Sequence, residues 1–126
     1  MPATEVLFYC EADGSAPVEE WLGELARHDR RAFNKCWEVI RRLQALGHDL
    51  RRPTADLLED GIYELRARVG QVNYRVLYFF YGRNVAILAH GLTKERAIPA
   101  TALKQAKERK RRFEAAPDLH TLKRER

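Results

Sequence analysis

The stretch from Gly61 to Arg96 constrains the fold more than any other part of this 126-residue chain. Residues 62–69 alternate between apolar and charged side chains, which is typical of a strand with one buried face. Residues 72–81 are rich in β-branched and aromatic side chains, and residues 85–92 form a short apolar run. Glycines stand in both connections, as expected for hairpins. We therefore predict three consecutive antiparallel strands.

The residues on either side of these strands predict helical packing. Glu5 to Cys10 reads as a first strand, and Pro17 suits the first turn of a helix whose apolar side chains repeat at three and four. Asp29 can cap a second helix that runs to Leu46, where Gly47 is well placed to end it. Two antiparallel helices of this kind would cover one face of the sheet.

The remaining segments complete the predicted order. We interpret 48–60 as a surface connection, and Pro99 opens a third helix over 100–115 that Pro117 ends. The fold class is therefore α+β: a small antiparallel sheet in the order β-α-α-β-β-β-α, with two N-terminal helices on one face and a C-terminal helix. Residues 1–116 form one domain. The basic tail at 117–126 has little to bury, which is typical of a disordered end.

Charge is distributed unevenly along the chain. Residues 1–60 hold 8 basic and 12 acidic side chains, residues 61–96 hold 6 and 2, and residues 97–126 hold 9 and 4. The net charges are therefore −4, +4 and +5, and their sum is the net charge of +5. This asymmetry favours a polyanionic partner on one face, although a basic protein without such a partner has the same composition.

Several classes of function find no support in the pattern. The four histidines are scattered and have no Cys/His spacing typical of zinc, and Cys36 is best explained as a small buried hydrophobe. There is no glycine-rich phosphate loop and no nucleophile elbow, so we expect neither cofactor nor metal. A long apolar run and a basic N-terminal region are lacking, so we expect a cytoplasmic protein without a membrane span.

The strongest chemical signal is a group of cations on and beside the meander. Arg66 and Arg68 share one side of their strand, and an antiparallel neighbour brings Arg75 to that side if the register permits. Lys94 and Arg96 follow the last strand. Like charges so placed repel unless something negative lies among them, and guanidinium groups match phosphate in a bidentate way. Two interpretations stay open: a phosphate-binding face, or arginines exposed on a half-buried sheet.

The same residues carry a resemblance to a known family. The segments YELRAR, VGQVNYRVLYFF and GRNVAILAHGLTKERAIPATALKQAKER resemble the core of the RelE/ParE toxin superfamily, in particular its HigB-like branch with phage-derived toxin-like proteins. The similarity covers about residues 60–112. It implies the toxin of a type II toxin–antitoxin pair, and for most HigB- and RelE-like members it implies an endonuclease that cuts mRNA on the ribosome without a metal ion.

The resemblance also implies roles for individual residues. Arg66 matches a basic position on the second strand that faces the scissile phosphate, and Arg75 matches the arginine of the YR pair. Lys94 and Arg96 match the basic cluster after the last strand, and His90 matches the histidine of an LHG motif. The implied catalytic set is thus Arg66, Arg75, Lys94 and His90. Contacts to RNA or phosphate are expected from Arg68, Arg96, Lys107 and Arg111. His90 has a suitable intrinsic pKa for a general base, but a core histidine is an equal alternative.

Two departures from the family pattern affect the expected chemistry. Relatives often carry a catalytic tyrosine in or before the last helix, and this chain has no tyrosine after Tyr81. Glu64 stands where some relatives have a second basic residue; it is a weaker candidate base, and pairing with an arginine is its simpler role. Since ParE-like members share the fold but inhibit DNA gyrase, a non-enzymatic toxin and an inactive nucleic-acid-binding relative remain alternatives. The expected partners are a helix-turn-helix antitoxin, the ribosome and mRNA.

Overall fold

A computed structural model describes residues 3–93 and 97–122. Its elements follow the predicted order with one additional strand. They are β1 (Glu5–Phe8), α1 (Pro17–His28), α2 (Arg30–Leu46), β2 (Ala55–Glu59), β3 (Ile62–Val69), β4 (Val72–Tyr81), β5 (Val85–Thr93) and α3 (Ala100–Ala115). The α+β class is confirmed, as are the three consecutive strands. No helix in these two described stretches is both long and apolar enough to cross a membrane.

The sheet is five-stranded and mixed, in the order β1-β5-β4-β3-β2. The strands β2 to β5 are antiparallel neighbours, whereas β1 lies parallel to β5. The predicted purely antiparallel sheet is therefore corrected at its β1 edge. The prediction of a surface connection over 48–60 is also wrong, because β2 pairs with β3 there. Its five residues do not alternate strictly, and β3 supplies the ladder hydrogen bonds that make them a strand.

The helices α1 and α2 cover one face of the sheet. The side chain of Asp29 accepts a hydrogen bond from the backbone N–H of Ala32 at 3.1 Å, so the predicted cap of α2 is confirmed. Gly47 ends the helix with a φ of +53°, a conformation that favours glycine. The apolar sides of both helices then pack on the alternate residues of β3 and β4 that include Leu65, Ala67 and Val76.

The opposite face is divided between an apolar half and a charged half. The helix α3 packs on the apolar half, where Phe113 forms an edge-to-face contact with Phe79. Ile62, Leu77 and Ile87 lie in the same cluster. The charged half lies where β3 and β4 carry their arginines, and it forms the site described below.

The segment Pro117–Leu122 packs along the end of β1, contrary to the expectation of a tail with little to bury. The backbone N–H of Leu122 donates to the carbonyl of Phe8 at 2.9 Å, and the imidazole of His120 lies 2.8 Å from the carbonyl of Cys10. His120 is buried and stacks on Tyr9. The sequence did not indicate this packing, because the apolar residues of Pro117–Leu122 do not repeat with the period of a strand or a helix. Residues 123–126 lie outside the described residues.

Candidate functional site: two arginines around a buried glutamate

The register of β3 and β4 brings two of the predicted site residues together. Arg66 lies directly opposite Arg75, and Glu64 lies two residues before Arg66 on the same face. Opposite residues of an antiparallel pair have Cβ atoms roughly 5 Å apart. The register condition on which the sequence argument depended is therefore met.

Glu64 provides the negative charge between the two guanidiniums. Its carboxylate accepts a hydrogen bond from Nη2 of Arg66 at 2.8 Å, and its other oxygen lies 3.0 Å from Nε of Arg75. This second contact has ion-pair distance, although the Nε–H is not aimed at the oxygen. The expected pairing of Glu64 with an arginine is confirmed. We call Glu64, Arg66 and Arg75 the arginine–glutamate cluster.

The cluster opens to solvent on one side only. The side chains of Glu64 and Arg75 are 5% and 11% exposed, whereas that of Arg66 is 36% exposed. The hydrogen bond that Arg66 donates to Glu64 raises the pKa of Arg66, and the partial burial of Arg66 acts in the opposite direction. An anion from solvent would therefore meet Arg66 first.

Alternating charges continue from Arg66 to β2. Asp56 pairs across the strands with Glu64, and its carboxylate lies 3.9 Å from Nη2 of Arg66. Nε of Arg52 lies 3.1 Å from the same carboxylate. Among the described residues, three cations thus meet two carboxylates in this group. Guanidiniums held in this way can bind phosphate, and a carboxylate within their reach can accept a proton.

His90 is not part of this cluster. It pairs with Leu77 on β4, which in turn pairs with Glu64 on β3, so two strand spacings, roughly 10 Å, separate the backbones of His90 and Glu64. Nδ1 of His90 lies 3.0 Å from Nη1 of Arg109, which also donates to the carbonyl of Ala89 at 2.7 Å. Burial, and secondly the charge of Arg109, lowers the pKa of His90. The neutral ring can accept the Arg109 N–H.

A second charged group, missed in the sequence, lies beside His90. Glu11 accepts a hydrogen bond from the hydroxyl of Tyr9 at 3.0 Å, and its oxygens lie 3.4 Å from Nε of Arg109 and 3.4 Å from Nη1 of Arg112. Arg109 is buried although it lies within a run of basic residues that the sequence presents as surface. These contacts fasten α3 to β1 and β5, and no pattern in the sequence indicated them.

The predicted phosphate-binding residues lie in different places. Arg68 is exposed beside Arg66, and its Nε donates to the carbonyl of Gly70 at 3.0 Å. Lys107 pairs with Glu59 and Asp60 at the turn between β2 and β3. These bonds, chiefly the one to Glu59, raise the pKa of Lys107. Of these two residues, Arg68 therefore lies beside the arginine–glutamate cluster, whereas Lys107 is held at the β2–β3 turn.

The three other predicted residues differ in where they lie. Arg111 is exposed and forms no ion pair with any residue in the described ranges. Lys94 and Arg96 lie outside the described residues, so they remain predictions.

A cleft adjoins the cluster at the edge of β3, where the pairing with β2 ends and this edge lies beside α2. It has a volume of about 360 Å³, and Arg66 and Arg68 line one wall while Lys35 and Arg42 of α2 line the other. Pro53, which is exposed, contributes apolar surface to the lining, and the buried Val39 lies at its base. The sequence analysis did not single out Lys35 and Arg42, because charged residues off the apolar side of a helix usually face water.

The described residues form no group of side chains that could bind a metal ion. Within residues 3–93 and 97–122, no three His, Cys, Asp or Glu side chains gather so as to hold a metal ion.

The chain matches a known protein family. The family model described as phage-derived protein Gp49-like (DUF891) matches residues 20–111, which include the whole arginine–glutamate cluster and the cleft. No curated protein matches the chain significantly.

Proposed function

Since the chain belongs to the phage-derived Gp49-like family, a RelE- and toxin-like family, we propose that it is a HigB-like toxin that cuts mRNA on the ribosome without a metal ion. The observation that supports this most is the meeting of Arg66 and Arg75 around Glu64. A guanidinium pair on a rigid two-strand platform is suited to hold one phosphate group in a fixed orientation.

In the proposed reaction, the ribose 2′-oxygen attacks the adjacent phosphorus. The O2′–P bond forms while the P–O5′ bond breaks, which leaves a 2′,3′-cyclic phosphate and a 5′-hydroxyl. Glu64 accepts the proton of the 2′-hydroxyl, and water supplies a proton to the leaving 5′-oxygen. Arg66 and Arg75 stabilise the extra negative charge on the phosphate oxygens. Each guanidinium has five N–H donors, so it can contact Glu64 and a phosphate at the same time.

This proposal assigns the general base to Glu64 and not to His90. Glu64 touches both arginines, whereas the ring of His90 is held by Arg109 two strands away. A base must come within hydrogen-bond reach of the proton that it removes, and a phosphate held by Arg66 and Arg75 would lie beside Glu64. His90 then positions α3 through Arg109. Lys94 and Arg96 are proposed as further RNA contacts.

The partners in this proposal are the ribosome, its mRNA and an antitoxin, which in the HigB-like branch is a helix-turn-helix protein. The arrangement of charges suits the first two. Arg66, which is the accessible member of the cluster, would receive a phosphate of the mRNA. The proposed activity takes place in the cytoplasm, where the ribosomes are.

The experiment is expression in a bacterial host, followed by primer extension on a reporter mRNA. We expect new 5′ ends within codons for the native chain and their loss in Arg66→Ala, since removing one such contact typically costs about 10²–10³-fold in rate. Arg83→Ala is the matched control, because Arg83 is an exposed cation in the β4–β5 turn. Intact mRNA together with a DNA-damage response would refute cleavage and favour gyrase as the target.

The role of Glu64 needs a separate measurement. Glu64→Gln keeps the shape of the side chain but cannot accept the proton, so cleavage should fall as far as in Arg66→Ala. The assay is run at a temperature at which circular dichroism shows the variant folded. Full cleavage by folded Glu64→Gln would show that another group is the base.

A further inference from the structure

We propose that the cleft between α2 and β3 binds a single-stranded RNA segment through the phosphate of a nucleotide that flanks the scissile one. The identification of the strand as mRNA rests on the proposed function, but the binding of single-stranded RNA does not. We call this cleft the α2–β3 cleft. Its lining brings cations of a helix and cations of a strand around one concavity.

The two walls of the cleft follow from regular geometry. Lys35 and Arg42 are seven residues apart on α2, so they lie on one side of the helix, about two turns or roughly 10 Å apart. Arg66 and Arg68 are two residues apart on β3, so they share a face at a spacing of roughly 7 Å. The fold thereby places four cations around one concavity of about 360 Å³.

The charges of the cleft are incompletely neutralised within the protein. Arg42 donates to the hydroxyl of Thr54 at 3.1 Å and Arg68 to the carbonyl of Gly70 at 3.0 Å. Both partners are neutral, and neither arginine forms an ion pair with a residue in the described ranges. No carboxylate lines the cleft. Lys35 and Arg66 pair with Glu38 and Glu64, whereas Arg42 and Arg68 keep their full charges, so a bound anion would stabilise this arrangement.

The cleft continues beyond Arg68 along the helix. A second depression adjoins it, shares Lys35 and Arg68 with it, and adds Arg31 and Asn34. Glu38 is the one carboxylate that lines this depression, and it already pairs with Lys35 at 2.8 Å. The result is a positively lined path that begins at Arg66 and runs beside α2. An extended polyanion fits such a path better than a small isolated anion does.

The lining also indicates which kind of polyanion would fit. Pro53 is exposed and offers apolar surface on which a base can rest, and Asn73 offers a carboxamide that can donate to or accept from a base edge. Arg66 lines the cleft and also contacts Glu64. An RNA phosphate in the cleft and the phosphate that the cluster would hold would therefore lie on either side of Arg66.

The test is a binding measurement that does not depend on cleavage. The full chain is titrated into a fluorescein-labelled six-nucleotide RNA with methylated 2′-hydroxyls, and anisotropy is recorded at several salt concentrations. We expect Arg68→Ala to weaken binding about tenfold and to reduce the slope of log K against log salt by about 0.7, the value for one lost phosphate contact on a single strand. Lys35→Ala, on the opposite wall, should act in the same direction.

The matched control is Arg41→Ala, which removes the same charge from an exposed position of α2 that does not line the cleft. It should change affinity less than twofold. Equal weakening by Arg41→Ala and Arg68→Ala would refute the cleft, since it would mean that only net charge matters.

Failure of the proposed function gives a different result. If Arg68 is needed for RNA binding but the native chain leaves mRNA intact, the result supports RNA binding in the α2–β3 cleft and refutes the proposed nuclease activity. If Arg66→Ala abolishes cleavage while Arg68→Ala and Lys35→Ala bind RNA normally, the result supports the proposed nuclease activity and refutes RNA binding in the α2–β3 cleft.

Discussion

The substitution Glu64→Gln should destabilise the fold strongly, because Glu64 is the carboxylate that both arginines of the cluster contact. Removing one partner of a buried ion pair costs about 3–5 kcal/mol. Arg75 is 11% exposed and falls in this range, whereas Arg66 is 36% exposed and can be hydrated again, at a cost below about 1 kcal/mol. We therefore expect a loss of about 3 kcal/mol in the free energy of unfolding, and a fall in Tm of roughly 10 °C.

Urea denaturation at neutral pH, followed by circular dichroism, measures this loss. Glu38→Gln is the control, since Glu38 forms an exposed pair with Lys35 and should contribute less than about 1 kcal/mol. In a double-mutant cycle, Glu64→Gln and Arg75→Gln should couple by about 1.5 kcal/mol or more, because the second change removes the charge that the first leaves buried. A loss below about 1 kcal/mol for Glu64→Gln would refute the reasoning, as the cluster would then act like a surface ion pair.

Three further outcomes test other parts of the structure. Gly91→Ala should destabilise by roughly 1–3 kcal/mol in urea titrations, because a Cβ atom there would overlap the indole ring of Trp21; an unchanged midpoint would show that the ring moves freely. The lowered pKa of His90 means that the unfolded chain binds the proton more readily, so the free energy of unfolding should decline as pH falls below about 6.5, and His90→Gln should flatten that decline; identical curves would place the titration elsewhere. Deleting 117–126 should speed alkylation of the buried Cys10 thiol, read peptide by peptide in mass spectrometry, since that segment covers it; an unchanged rate would contradict this packing.

Strong local signals predicted most of the fold. The bounds of β3, β4 and α3 agree with those expected, because alternation, β-branched content and a proline before the helix act within a few residues. The strand β2 and the packing of Pro117–Leu122 escaped prediction because both depend on a partner that is remote in the sequence. Leu57 of β2 remains largely exposed, so the strand has no buried apolar face at this position that an alternating pattern could have indicated.

The candidate site divides in the same way. The residue types that gather in it, and the fact that Arg66 and Glu64 share a face, follow from period-two alternation. The sequence could not show that His90 would contact Arg109, or that Lys107 would form ion pairs with Glu59 and Asp60. Each of these pairs joins α3 to a distant strand or turn, so it depends on how the helix docks.

The chain's pattern of apolar and charged residues was sufficient to fix the elements, their faces and the side of the sheet on which the arginines lie, because these are properties of neighbouring residues. Register and docking required the folded protein, because hydrogen bonds and packing between remote segments determine them. They placed Glu64 between Arg66 and Arg75, set Lys35 and Arg42 across from Arg68, and separated His90 from the cluster. The cations were therefore visible in the sequence, but their distribution between a cluster paired with carboxylates and an open cleft was not.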